Sequence, residues 1–243
     1  MQRGFKEPGD KPRRFYKEVT VEPAPEVFEV RLDGRTVRTP KGAKLALPTR
    51  ALAEAVAAEW ARQGEVLEVV GMHVMRLANT ALEAIPAARP ETADQIAQYA
   101  GSDLLCYHAE TPWELAERHA ARWGPLLARA EQELGLTFVV AAGIVHRPQP
   151  PQTLAKVREL ALSLDDFRLA GLAFGAALYG SAVLAIAVLK GWVGGEEAFD
   201  LSRLDEAFQE EKWGVDAEAA ERVERLRGEA VMLERWFADL ADS

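Results

Sequence analysis

The chain has few of the residues and motifs on which enzyme chemistry usually depends. Its 243 residues include one cysteine, Cys106, which excludes an internal disulfide and fits a reducing compartment. The phosphate-binding signature G-x-x-x-x-G-K-[ST], a dinucleotide-binding G-x-G-x-x-G after a strand, and the G-x-S-x-G elbow are all missing. The N-terminal stretch has no apolar signal region, and its acidic residues are unlike a mitochondrial transit peptide. A cytoplasmic or already processed chain is therefore expected.

Candidate metal ligands are also scarce. The four histidines, at positions 73, 108, 119 and 146, have no second ligand at zinc-like spacing. His119 precedes Trp123 by one helical turn and is interpreted as a packing or surface residue, and Cys106 as a small buried apolar residue. The sequence therefore predicts no catalytic residue, no metal site and no cofactor.

The net charge of −9 is distributed unevenly. Residues 1–50 contain 12 Lys and Arg against 7 Asp and Glu, whereas residues 196–243 contain 6 against 15. An acidic C-terminal part argues against nucleic acid as a partner, because phosphates require the opposite sign. It fits a partner with a basic surface, but a merely solvated helical face is the alternative.

The first third of the chain has the pattern of a small two-layer α+β domain, residues 1–86. Asp33-Gly34 between two strand-like runs predicts a type I′ hairpin, and Pro23–Pro25 predicts a break after the first strand. Thr49 is the expected N-cap of the first helix. The predicted strands cover residues 15–21, 27–32, 35–39 and 43–47, and the predicted helices residues 50–63 and 72–84.

The remainder, residues 87–243, has helical periodicity throughout and predicts an all-helical, orthogonal bundle-like domain. A Pro-rich connection follows His146, and Asp216 is the expected N-cap of the last helix. The predicted helices cover residues 90–107, 111–134, 153–164, 196–213 and 216–240.

One uncharged run of 21 residues, Leu169–Leu189, is long enough to cross a bilayer. Its many alanines and glycines and the absence of a positive-inside bias favour two buried helices that meet near Tyr179–Ser181. Gly171 and Gly175 then indicate close helix packing. Stable membrane insertion is not expected, and a membrane-tethered form is the alternative.

An acidic cluster in the last third is the strongest candidate for chemistry. Glu206 and Glu210 lie one helical turn apart, so they share a face, and Asp205 and Glu211 flank them. Two carboxylates on one face can serve a metal ion or acid–base catalysis. Acidic side chains on a solvated helix are far more common, and no histidine joins the cluster.

Ordered short motifs extend along most of the chain, from residue 14 to residue 214. Together they resemble the ATP12 family, the assembly factors of F1 ATPase. At Met72-His73-Val74 this sequence departs from the Met-Pro-Leu of the family pattern. The matching segments are Arg14–Lys17, Leu32–Arg35, Thr39–Gly42, Leu47–Thr49, Leu52-Ala53, Ala58–Trp60 with Gln63, Leu77–Ala81, Tyr99, Ser102–Tyr107, Pro112, Trp123–Leu127, Asp205–Glu210 and Lys212–Gly214.

The resemblance implies an N-terminal α+β domain followed by a helical domain, and a chaperone rather than an enzyme. Its implied partner is the free F1 α subunit, held through the surface that later pairs with β, with the oligomeric state left open. It implies that Glu206, and with it Asp205, Gln209 and Glu210, bind the partner, while Trp213-Gly214 packs the helix end. A bacterial cytoplasmic form is implied, or a mitochondrial matrix form if the chain is a processed eukaryotic one. A carboxylate-based, metal-dependent enzyme around Glu206 is the alternative function.

Overall fold

The computed structural model describes residues 12–143, 145, 147–214 and 217–241. Contacts divide these residues into two compact units, one ending at Asn79 and the other running from Thr80 to Ala241. The first contains a four-stranded sheet and the second is built mainly of helices, which confirms the α+β class. The division falls inside a helix, and the boundary near residue 86 stays a prediction.

The sheet of the first unit is antiparallel and centred on its second strand, which pairs with the first on one edge and with the short third and fourth on the other. Asp33 and Gly34 have φ of 47° and 78°, which confirms the type I′ turn. The strands are β1 (Val19–Ala24), β2 (Val27–Leu32), β3 (Arg35–Thr36) and β4 (Ala46–Leu47), followed in the second unit by the parallel pair β5 (Tyr107–His108) and β6 (Ala141–Ala142).

The expected break at Pro23–Pro25 is wrong. Pro23 and Ala24 continue β1 opposite Phe28 and Val27, and the turn falls at Pro25-Glu26, where Glu26 has φ of 63°. An edge strand tolerates proline because its outward position needs no N–H for the ladder. The strand therefore starts and ends later than the sequence pattern predicted.

Two helices pack in the first unit, α1 (Arg50–Ala61) and α2 (His73–Glu83). The Thr49 hydroxyl accepts the Leu52 N–H at 3.2 Å, which confirms the predicted N-cap. The buried Glu59 carboxylate of α1 accepts the N–H groups of Val74 and Met75, each at 2.8 Å, in the first turn of α2. Burial raises the pKa of Glu59. The helix begins at His73, a first-turn position where a proline would also fit.

The second unit contains eight helices among the residues described. The third helix begins at Ile85 rather than at Pro90, because Pro86 lies in the first turn, where no backbone N–H is needed. A kink at Ala88 separates this first turn from the rest of the helix. The helix predicted over residues 196–213 is two helices, broken at Arg203. The helices are α3 (Ile85–Gly101), α4 (Trp113–Leu134), α5 (Pro151–Ser163), α6 (Asp166–Tyr179), α7 (Ala182–Leu189), α8 (Gly195–Ser202), α9 (Leu204–Trp213) and α10 (Ala217–Ala241). His146 and the expected cap at Asp216 lie outside the described residues.

The uncharged run forms α6 and α7, which confirms the two-helix interpretation. Gly180 ends α6 with φ of 63°, and the Ser181 hydroxyl accepts the Leu184 N–H at 3.0 Å to begin α7. A Cβ added at Gly171 would come within 2.7 Å of the Phe237 ring, and one at Gly175 within 2.8 Å of Leu233, so both glycines permit close approach of α10. In the part of the chain that the structure describes, no helix has the length and apolarity to cross a membrane.

A buried carboxylate joins the Ser102–Tyr107 motif to α7. Asp103 accepts the Leu105 N–H at 3.1 Å, the Ser181 hydroxyl at 2.7 Å and the Val183 N–H at 3.0 Å. Burial raises the pKa of Asp103 to about 6. Cys106 of the same motif is buried, as expected, and burial raises the pKa of its thiol. The motif thus builds the core.

Candidate functional site

The acidic helix α9 contacts α4 through the ring of Phe208 and through polar side chains. Phe208 is buried, and the Arg118 guanidinium and the Lys212 ammonium lie 5.1 Å and 4.2 Å from the centre of its ring. Arg118 also donates to both carboxylate oxygens of Glu211 at 2.7 Å, and this pair holds the pKa of Glu211 below its usual value. A bidentate pair over a packed ring fixes the helix in orientation as well as position.

The structure separates the four predicted partner-binding residues into two kinds. Asp205 Oδ1 lies 3.0 Å from His119 Nε2, and Glu210 accepts from Arg203 at 2.8 Å. Glu206 and Gln209 are exposed and make no hydrogen bond or ion pair with any residue described. Internal contacts therefore engage Asp205 and Glu210, while Glu206 and Gln209 remain available to another molecule.

Glu206 lies on the edge of a groove of about 750 Å³ within the second unit. Apolar side chains of four different segments line it, among them Leu104, Leu178, Phe199 and Leu226. Arg222 of α10 lines the same groove and is exposed, with no ion-pair partner in the described ranges. The groove thus combines apolar walls with two unpaired groups of opposite charge.

Beside α9, two histidines meet a tryptophan. The ring of His119 stacks on Trp123 with 3.8 Å between centroids and 13° between planes, and His108 lies edge-on to His119 at 5.7 Å. Trp123 donates from Nε1 to the Leu201 carbonyl at 2.9 Å. Both histidines line a cleft of about 590 Å³ together with Asp205. Burial lowers the pKa of each histidine, so both rings are neutral at neutral pH.

Solved structures provide close matches to the fold of this chain. The structure of Atp12 from Paracoccus denitrificans is 36% identical, has a TM-score of 0.87, and is matched over 93% of this chain and 97% of its own. The chain belongs to the ATP12 family. The family model for "ATP12 chaperone protein" matches residues 13–131. Agrobacterium tumefaciens Atu1473 is 37% identical, with a TM-score of 0.88 over 94% of this chain and 86% of its own.

A curated relative extends the match to eukaryotes. The mitochondrial protein atp12 of Schizosaccharomyces pombe is 26% identical over 221 residues, which covers 86% of this chain and 76% of the relative. The ATP12 family consists of chaperones that act in ATP synthase assembly. The family model ends at residue 131, so α9 lies beyond it.

One residue at the end of α9 differs from its sequence-based prediction. Trp213 was expected to pack the helix end, but its side chain is 79% exposed, and only Gly214 acts in termination, with φ of 87°. The expected packing of Trp213 is therefore wrong. In the described ranges, no three His, Cys, Asp or Glu side chains are grouped to hold a metal ion.

Arg222 and the link from His119 to Asp205 were not predicted from the sequence. His119 shares the buried face of α4 with Leu115, Trp123 and Leu126, and this helical spacing was a usable signal for its burial. Its polar partner comes from a distant helix, which periodicity does not reveal. Arg222 carries no signal that distinguishes it from other surface arginines.

Proposed function

We propose that this ATP12 chaperone binds the free F1 α subunit and shields the subunit-interface surface of α until it pairs with β. The observation that carries the proposal is the pair Glu206 and Gln209, exposed and unpaired on a helix that is otherwise fixed by Phe208, Arg118 and Glu211. Because α9 is already fixed, binding has to order little beyond the side chains of Glu206 and Gln209. The helix is therefore preorganised for a partner.

The chemistry of the groove supports a protein client. An unassembled subunit exposes a large apolar interface that would otherwise self-associate. The apolar walls beside Glu206 can bury such a surface, and the carboxylate can pair with a basic group at its edge. Asp205 and Glu210 contribute indirectly, since they hold α9 in place through His119 and Arg203.

The same contacts weigh against a metal-dependent enzyme around Glu206. A divalent ion shared by Glu206 and its neighbours would have to draw Asp205 from His119, Glu210 from Arg203, or Glu211 from Arg118. Each exchange would give up an existing charge-assisted contact. A non-enzymatic role is the one that these contacts support. We further propose a cytoplasmic location for a bacterial form, or the matrix for a processed mitochondrial one.

The deciding experiment is co-expression of this chain with the cognate F1 α and β subunits, each separately, followed by pull-down and size-exclusion chromatography. A soluble complex with α but not with β is the expected result. The proposal is overturned if the chain forms no complex with α although circular dichroism shows that it is folded.

A substitution at Glu206 tests the site itself. Glu206→Ala should leave the unfolding midpoint unchanged and weaken binding of the α subunit by about tenfold, or about 1.4 kcal/mol, because it removes the unpaired carboxylate. Titration by isothermal calorimetry provides the affinity. The matched control is Glu159→Ala, an exposed glutamate of α5 with no described partner, which should bind as the parent does. An unfolded Glu206→Ala variant would instead identify Glu206 as structural.

A further inference from the structure

Three charged side chains line the groove beside α9, and only one of them has an internal partner. Arg203 donates to Glu210 at 2.8 Å and lies 5.9 Å from the centre of the Phe199 ring. Glu206 and Arg222 form no ion pair with each other or with any other residue that the structure describes. The groove therefore leaves one negative and one positive group available for another molecule.

The helices that carry these two groups are both anchored, so the spacing of their backbone positions is fixed. On α10, Arg227 pairs with Asp200 of α8 at 2.9 Å, and Glu234 accepts the Gly195 N–H at 2.7 Å. Helix α9 is held on α4 by the contacts described above. Two opposite charges at a fixed separation present a directional pattern, which a partner matches in one orientation only.

Most of the other side chains that line the groove are apolar, and helices form most of its walls. Leu104 and Leu178 line it near the end of α6, and Val223 and Leu226 line it from α10. All four side chains are half-buried, so part of their apolar surface remains open to a partner. No strand within the described residues lines the groove, so an extended segment would find no free edge for its backbone hydrogen bonds. A helix satisfies its own backbone groups and needs only an apolar face.

We propose that the groove binds an amphipathic helix of the F1 α subunit, and that Arg222 sets the direction in which this helix lies. The apolar face of the client helix packs on the groove walls, a basic side chain pairs with Glu206, and an acidic side chain pairs with Arg222. In the reverse direction each charge would meet a like charge, which costs binding free energy. The inference rests on the proposed function and deepens it, because it names the client element and a second recognition residue.

A set of charge reversals tests whether the order of the two charges matters. Glu206→Lys and Arg222→Glu shift the net charge by the same amount in opposite directions, so the double variant keeps the net charge of −9. The matched controls are Glu159→Lys and Arg235→Glu, since both residues are exposed and have no described partner. Arg235 lies on a different side of α10 from Arg222, because their separation is not a whole number of helical turns. Isothermal calorimetry at one salt concentration provides the dissociation constant for the α subunit.

Each single reversal should weaken binding by about thirtyfold and the double variant by about a thousandfold, because the effects of two separate contacts add as free energies. Both controls should bind within about twofold of the parent. A double variant that binds like the parent would mean that only net charge is recognised and would overturn the inference, as would equal losses for Arg222→Glu and Arg235→Glu. Arg222→Gln removes the charge without reversing it and should weaken binding by about tenfold, so it tests the same contact if a reversal prevents folding.

A compensating change in the client tests the pairing directly. Hydrogen exchange of the α subunit, with and without the chaperone, locates the segment that binding protects, and this segment should be a helix with one apolar face. Replacement of the acidic residue on that helix by lysine should strengthen binding to the Arg222→Glu variant by about tenfold and leave binding to the Glu206→Lys variant weak. Protection of extended segments alone, or equal rescue of both variants, would count against the inference.

The two proposals fail in different ways. If the parent binds no α subunit, the proposed function itself is wrong and the client helix falls with it. If the parent binds the α subunit and Arg222→Glu binds it as Arg235→Glu does, the proposed function stands and only the inference is wrong.

Discussion

At the scale of single residues, Glu29 of β2 shows how a buried charge joins the small sheet together. Its carboxylate accepts from Lys44 at 2.9 Å, from Thr36 at 2.8 Å and from Arg31 at 3.2 Å. These hydrogen bonds, led by that of Lys44, hold the pKa of Glu29 at about 2. The ionised side chain therefore links β2 to β3 and to the segment that precedes β4.

The lowered pKa makes a prediction about acid stability. A carboxyl whose folded pKa is depressed stabilises the fold above its unfolded pKa of about 4.5, and this contribution is lost as the pH falls toward 2. Glu29→Gln should thus cost about 1 to 2 kcal/mol at pH 7 and almost nothing near pH 2. Urea unfolding across this range measures the difference. The turn variant Glu26→Gln is the control, and a cost for Glu29→Gln that does not change with pH would refute the assignment.

Residue-scale features were predictable where backbone geometry determines the residue type. Asp33-Gly34 and Thr49 were found from sequence because a type I′ turn and a helix N-cap each favour particular side chains. Glu29 was not, because a glutamate in a strand is normally expected to face solvent. Its burial depends on Lys44 and Thr36, which come beside it only when the sheet forms.

At the scale of secondary-structure elements, α6 depends on two small residues. Gly171 faces the rings of Phe237 and Trp236, and Gly175 faces Leu233 and Ala185, at distances that leave no room for a methyl group. These two glycines therefore allow α6 to approach α10 and α7 closely.

Alanine substitution tests this packing. Gly171→Ala and Gly175→Ala should each lower the free energy of unfolding by about 1 to 3 kcal/mol, since the added methyl must displace neighbouring side chains. Gly228→Ala is the control within α10, where an added Cβ would meet nothing within 4 Å and no proline follows, and it should raise stability by up to about 1 kcal/mol. Thermal or urea unfolding measures all three. Equal effects at the three positions would show that helix propensity, not packing, decides the outcome.

Element boundaries were predictable where the chain contains residues that end or cap a helix. Gly180 and Ser181 separate α6 from α7 as expected, because one takes a left-handed conformation and the other caps a helix. The break between α8 and α9 at Arg203 has no such signal, since neither glycine nor proline occurs there. The acidic cluster was found from its spacing and its partner-binding role from the resemblance, but neither revealed which of its polar side chains lack internal partners.

At the scale of the whole molecule, charge is the dominant long-range property. The chain carries a net charge of −9, and its C-terminal part is acidic, whereas residues 1–50 are basic. Long-range attraction between an acidic surface and a basic client accelerates encounter more than it adds to affinity.

Ionic strength therefore provides a test of how the client is recognised. The association rate constant for the α subunit should fall by about tenfold or more between 0.01 M and 0.5 M salt, because the Debye length shrinks from about 30 Å to a few ångströms. Stopped-flow mixing measures this rate, and Glu206→Ala should show a shallower dependence than Glu159→Ala. A rate that is independent of salt would mean that apolar contact alone guides the encounter.

The polar contacts of the second unit also have a consequence for the order of events during synthesis. The hydrogen-bond partner of Asp103 is Ser181 and that of Trp123 is Leu201, and each partner is synthesised 78 residues later. At translation rates of roughly 5 to 20 residues per second, the buried carboxylate remains without its partner for about 4 to 16 s after it is made. During that interval α3 and α4 expose the surfaces they later bury, so this chaperone passes through a period in which its own apolar surfaces are unprotected.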